Sequence, residues 1–425
     1  MKKLLLFLLP LISFAQNDHY INYAKESVKY LTSKDLMGRG YTHDGHIKAA
    51  KFIESELLNI GLDKIDDSYS QEFEVEVNIF EREPHLIIND KWLKLGTDFI
   101  PHEHSSSGDI SSNKVVYVDN GIFIPDAGLN DYNGLSANGK IIIIDNELPQ
   151  HLKKNKQFSK FTSESTRILI AQKLGAKAIV LIQDKLTFGA AYTRLQIPIV
   201  RVLKSSLQNP IEKVELEVES DFDDFDTKNI FGFIKGTSIQ DSIIMLCAHY
   251  DHLGALGDSV YFPGANDNAS GVSLLLSLAK FFKDNPIKNS LLFTFFSGED
   301  VGLVGSKYFQ KNPEIELERV KFLINFDMAA SAENGIMAVG GKNFPEFFQK
   351  LKSINDDLSL GKLGSRKNAP NSDHYFFIRN GIKGFYLFTK DGKQPYHHVN
   401  DKFETLEWDD FERMFNLAKS FIQSI

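Results

Sequence analysis

From residue 227 onward, continuous apolar runs alternate with amphipathic ones, and four apolar runs lead directly to side chains that can bind a metal. IIMLCA runs into His249, SLLFTFFS into Glu299 and Asp300, KFLINF into Asp327, and KGFYLFT precedes the loop that carries His397. Between them lie helical patterns: NASGVSLLLSLAKFF, VGLVGSKYF, FPEFFQKLKSI and the closing TLEWDDFERMFNLAKSFI. Strands that are apolar throughout are buried on both faces, and helices between them supply the cover. The expectation is an α/β fold, a mostly parallel mixed sheet with helices on both faces. Sites in such sheets lie beyond the carboxyl ends of the strands. His249, Asp267 in PGANDNASG, Glu299, Asp300, Asp327 and His397 all fall at or shortly after such ends.

The upstream half has a different texture. Residues 20–32 and 45–61 show helical spacing, joined by the glycine-bearing turn MGRGYTHDG, with Gly61 placed as a C-cap. SQEFEVEVNIF reads as a strand. From 90 to 225 short β-rich runs (KVVYVDN, GKIIIID, AKAIVLI, IPIVRV) surround one helical pattern, STRILIAQKLG, and this reads as a smaller inserted domain. His102 and His104, in PHEHSSSGD, read as surface loop histidines. The acidic ESDFDDFD at 219–226 is expected to return the chain to the first domain. The resulting division is a leader at 1–15, a first part of the main domain at 16–89, the insert at 90–225 and the remainder at 226–425.

The leader rests on MKKLLLFLLPLISFAQ: two lysines, an apolar run, then Ser13 and Ala15 at cleavage-type spacing. It predicts export to the periplasm or the medium, and the absence of a following cysteine gives no sign of a lipid anchor. No later run is apolar for long enough to span a membrane. A net charge of −8 argues against nucleic acid as a partner, and KKNK at 153–156 reads as a solvated loop. The single Cys247 cannot form an internal disulfide and lies in an apolar run, where a thiol is an inert core residue.

Two imidazoles and three carboxylates, His249, Asp267, Asp300, Asp327 and His397, can hold a pair of zinc ions, which require imidazole nitrogen and carboxylate oxygen and a bridging ligand. Asp251 stands two residues after His249, placed to hold its second ring nitrogen. Glu299, beside Asp300, is free to accept a proton. Each has a plainer reading. Asp267 and Asp300 could cap the helices that follow them, and His249 could be a satisfied core histidine.

The ordered set AHYDHLG, PGANDNASG, FSGEDVGLVGS, NFDM and YHxxxD resembles the M28 family of zinc peptidases, strongly over 226–425 and more weakly over 20–80. The insert resembles a protease-associated domain. The resemblance implies two zinc ions: His249 and Asp327 on one, Asp300 and His397 on the other, Asp267 bridging. It further implies that Asp251 orients His249, that Glu299 is the general base, that Tyr396 donates to the oxyanion, and that the Asp267–Asn268 bond is cis. The family more often has Glu where Asp300 stands. His398 competes with His397 for the ligand role, and Ser372–Asp373–His374 resembles a stretch near the pocket. The implied activity is removal of N-terminal residues from peptides with a free N-terminus. The alternatives are a single-zinc glutaminyl cyclase of the same fold and a non-catalytic protein that binds peptides or glycans. An intact Glu299 argues against the last.

Overall fold

The apolar runs of the C-terminal half lie side by side at the centre of one sheet. Its strands in chain order are β1 (Ser70–Ile79), β2 (Asp221–Ile234), β3 (Ile239–His249), β4 (Asn289–Phe296), β5 (Val320–Phe326), β6 (Ile336–Val339), β7 (Leu363–Arg366) and β8 (Gly384–Thr389). In space they run β1-β2-β4-β3-β5-β8-β6-β7. The central four, β4, β3, β5 and β8, are parallel. On one side β2 joins β4 antiparallel and β1 joins β2 antiparallel, and on the other β6 joins β8 antiparallel. The structure is a computed structural model that describes residues 11–390 and 395–425, with side chains from Asn17 onward. The expected leader therefore falls largely outside the described residues.

The helices outside the segment between β1 and β2 are α1 (Leu11–Leu31), α2 (Gly45–Ile60), α3 (Gly271–Asp284), α4 (Val304–Lys311), α5 (Pro345–Asp357), α6 (His374–Arg379) and α7 (Trp408–Ser424). Successive strand residues point to opposite faces. Along β3, Ile244, Leu246 and Ala248 join the core built with α1, α2, α3 and α7. Ile243, Met245 and Cys247 face the other way, against Phe309 of α4 and Phe377 of α6. Both faces being covered is why the run carries no polar alternation. Gly61 closes α2 in a left-handed conformation (φ 81°), its N–H donating to Leu57 O. The helix expected at VGLVGSKYF begins only at Val304, because Gly302 (φ 108°) and Leu303 (φ 61°) are left-handed.

Between β1 and β2 the chain builds a two-stranded sheet, Phe123–Ile124 with Leu129–Asn130, and two larger ones. One has five strands, in the order Phe99–Pro101, Ile199–Leu203, Ala178–Gln183, Ile141–Asp145 and Val115–Tyr117. The other has four: Lys91–Trp92, His85–Ile88, Val214–Val218 and Gly108–Ser112. The acidic stretch 219–226 forms the start of β2, paired with β1 from Ile79 opposite Asp221. The chain thus leaves and rejoins the main sheet on adjacent strands.

His102 departs from its sequence reading. It is buried, not a surface histidine: Nε2 lies 3.1 Å from Glu164 Oε1, and Nδ1 accepts the His104 N–H. Arg201, from the neighbouring strand, pairs with both Glu103 and Glu164 and makes that burial tolerable. Burial raises the Glu103 carboxyl, but His102 and Arg201 outweigh it and bring it down to about 2. A carboxylate depressed in the fold stabilises above its ordinary pKa of about 4.3 and stops doing so as pH falls toward the depressed value. Arg201→Met is therefore expected to cost about 3 kcal/mol at pH 7. The gap to wild type should close between about pH 4 and 2, as denaturant melts across that range would show.

Candidate metal centre

Because the four central strands are parallel, their carboxyl ends bring distant residues together. His249 closes β3, Asp327 follows β5, the Glu299–Asp300 turn follows β4, and His397 lies in the loop after β8. Asp267 sits in the turn leading into α3, next to a cis peptide bond to Asn268. Its carboxylate divides its two oxygens. Oδ1 lies 3.4 Å from His249 Nε2, which is 3.5 Å from Asp327 Oδ1. Oδ2 lies 3.1 Å from His397 Nε2, which is 3.4 Å from Asp300 Oδ1. Tetrahedral ligands about 2.0–2.2 Å from zinc are about 3.3–3.6 Å from one another, so the spacing fits the donor set. His397 Nε2 is buried and has no hydrogen-bond partner, as a nitrogen reserved for a cation would be. His398 is placed differently, with Nδ1 taken by the Asn400 N–H. Neither Asp267 nor Asp300 caps a helix: Ser270 and Leu303 occupy the N-cap positions of α3 and α4.

Around these residues lies a shell of hydrogen bonds. Asp251 reaches His249 by its main chain: Nδ1 is 3.2 Å from Asp251 O, whereas Oδ1 is 3.8 Å away and accepts the Glu299 N–H. The backbone carbonyl, rather than the expected carboxylate, sets that tautomer. Ser372 donates to Asp327 Oδ2 at 2.8 Å and accepts from Asn325. Asp401 accepts the N–H groups of Asn266 and Asp267, fixing the turn that carries the shared carboxylate. Asn268 Oδ1 accepts the N–H groups of Gly271 and Met328, locking α3 to the end of β5. His397 is held from the insert: its Nδ1–H donates to Phe188 O, and the Phe188 N–H donates to His397 O, both at 3.0 Å. Tyr396 is half exposed and stacks on His397, its ring centroid 3.8 Å away.

Residues 229–422 match peptidase family M28. They form an M28 peptidase domain. The aminopeptidase YwaD of Bacillus subtilis is 29% identical over 247 residues, which are 54% of this chain and 52% of that protein. The chain therefore spans about half the length of that relative. A zinc aminopeptidase structure from Bacillus subtilis superposes with a TM-score of 0.71 at 19% identity, covering 95% of each chain. A Bacteroides thetaiotaomicron glutaminyl cyclase gives 0.51 at 14% identity, over 95% of this chain and 98% of that one. At such identities these two structures establish the shared fold.

Four participants of the M28 domain and its surroundings were not read from the sequence. His252, three residues after His249, places Nδ1 3.0 Å from Asp300 Oδ2. Arg39, in the MGRG turn, sits behind Asp267. Asp401 and Phe188 are the others. His252 lies inside AHYDHLG and Asp401 closes YHxxxD, but neither motif says what these side chains hold. Arg39 and Phe188 act across more than 200 residues of chain, Arg39 on the carbonyls of Pro263, Gly264 and Asp267 and Phe188 on His397, so no local pattern points to them.

Burial would lower the imidazoles of His249 and His397, yet the carboxylates around them raise both well above the ordinary histidine value. Burial raises Glu299 well above the ordinary carboxyl range, opposed by His249 and reinforced by Asp327 and Asp300. In the metal-free protein, protons thus neutralise part of the acidic cluster. A divalent cation would displace them. Zinc loading of metal-free protein at pH 7 is expected to release about three protons per chain, from His249, His397 and Glu299. Calorimetry in buffers of different ionisation enthalpy measures that number, and a value near zero would contradict the protonation pattern.

Proposed function

We propose that the chain is an exported aminopeptidase that works with two zinc ions. The observation that carries this reading is the division of Asp267, whose two oxygens face two separate imidazole–carboxylate pairs. His249 and Asp327 would hold one ion, His397 and Asp300 the other, and Asp267 both. Bound there, zinc would lower the pKa of a water and polarise the scissile carbonyl.

The chain's own groups would do the rest. Glu299, deionised by burial among carboxylates in the metal-free protein, returns to a base once cationic charge offsets Asp327 and Asp300. It takes a proton from the attacking water and passes it to the leaving amine. Burial and the charges of Asp267 and Asp300 keep the Tyr396 hydroxyl protonated, so it is a hydrogen-bond donor where negative charge develops on the carbonyl oxygen. Asp251 holds the turn that carries Glu299 through its backbone N–H. The acidic surroundings suit the ammonium of a free peptide N-terminus. Residues 90–225 are read as a protease-associated domain. Export rests on the N-terminal apolar run, and among the described residues no helix is long and apolar enough to cross a membrane.

Glu299→Gln is expected to keep its zinc and lose about 10²–10⁴-fold in kcat. Undiminished turnover would sink the assigned mechanism. A short peptide series with free and acetylated N-termini, read by mass spectrometry, tests the activity. Loss of one residue from free peptides alone is expected. Cleavage of both forms would make the enzyme an endo- or carboxypeptidase. Cleavage of neither, with one zinc per chain, would favour a cyclase.

A further inference from the structure

Asp300 presents a problem that His252 is placed to solve. A carboxylate can turn either oxygen toward an ion, and this one must offer one oxygen to the His397 pair. In the structure Oδ1 faces His397 Nε2 at 3.4 Å, while Oδ2 lies 3.0 Å from His252 Nδ1. His252 is itself immobile. It is 1% exposed, and its backbone N–H donates to Arg39 O. Its ring stands edge-on to that of His397, centroids 5.8 Å apart. Against its other side lies Gly264, where any Cβ would come within 2.3 Å of His252 Cδ2. A left-handed glycine (φ 57°) is therefore needed for the ring to sit where it does.

Resting on the two-zinc reading above, we infer that His252 is a positioning residue for the second ion: its Nδ1–H holds Asp300 Oδ2 and thereby aims Oδ1 at the site beside His397. The hydrogen bond takes up the one oxygen that could otherwise rotate into the ion's place. It also fixes the ring tautomer with Nδ1 as donor. The role is that of an outer-shell partner, whose loss typically weakens metal affinity about 10–100-fold.

The test compares His252→Ala with His252→Asn in the full chain, because an asparagine Nδ2 can stand where the imidazole Nδ1 stood. Zinc content after dialysis and chelator competition give the affinity of each equivalent, and cobalt substitution gives the ligand-field spectrum of the second site. His252→Ala should keep the first equivalent, weaken the second about 10–100-fold and alter the cobalt spectrum. His252→Asn should restore affinity and spectrum toward wild type, which a lost fold would not allow. If His252→Ala binds the second zinc as tightly as wild type, the inference is wrong. It is equally overturned if Asn is as defective as Ala, since His252 would then be a direct ligand or a packing residue. Wild-type protein that binds fewer than two zinc ions would instead refute the two-zinc reading itself, and the inference with it.

Discussion

A guanidinium buried without a carboxylate in contact must spend every donor on something else. Arg39 does so on main-chain carbonyls alone: Nε on Tyr250, one terminal nitrogen on Leu31 and Pro263, the other on Gly264 and Asp267. All five donors of the group are used. The carbonyls belong to the end of α1, to the loop after β3 and to the turn before α3. One side chain therefore fixes the relative position of the segments that carry His249, His252 and Asp267. The turn that supplies it requires close backbone approach, since a Cβ at Gly40 would meet Gly254 Cα at 2.4 Å. Burial brings Arg39 down to about 10, with Asp267 and Asp401 pulling the other way, so it remains a cation at neutral pH.

That cation lies behind a cluster which is strongly acidic. Asp251, Asp267, Asp327, Asp373 and Asp401 are all buried here, and Asp300 nearly so. Each handles its charge differently. Burial carries Asp373 up to about 7 and Asp401 up to about 6, so near neutral pH Asp373 is protonated part of the time while Asp401 stays mostly ionised. Asp267 and Asp300 go down despite burial, because imidazoles face them. The same fold therefore sets chemically identical side chains apart: burial raises two, and facing imidazoles hold two others down. A divalent cation is a natural complement of the lowered pair.

The inserted sheets are part of this centre rather than an appendage. Phe188 grips His397 with two main-chain hydrogen bonds, while its ring stacks on Phe262, centroids 4.8 Å apart. Tyr192, exposed, lies 3.4 Å from where a Cβ on Gly302 would be, over the turn that carries Glu299 and Asp300. One loop of the insert thus touches both His397 and the turn that carries Glu299 and Asp300.

Much of this was legible in the chain itself. The alternation of apolar runs with amphipathic ones determined a sheet covered on both faces, because strands such as β3 have no polar side to offer to water. His249, Asp267, Glu299, Asp300, Asp327 and His397 were legible as metal-type and base side chains, and the rule that sites gather at strand carboxyl ends supported them. What only the tertiary structure decided is how those residues are held. Whether His397 or His398 faces Asp267 depends on Phe188. Whether Asp251 reaches His249 by carboxylate or carbonyl depends on the turn. The burial of His102 depends on Arg201, far along the chain. Local pattern determines which residues arrive at one end of a sheet. Their orientation comes largely from hydrogen bonds between segments distant in the chain, and those have no period to read.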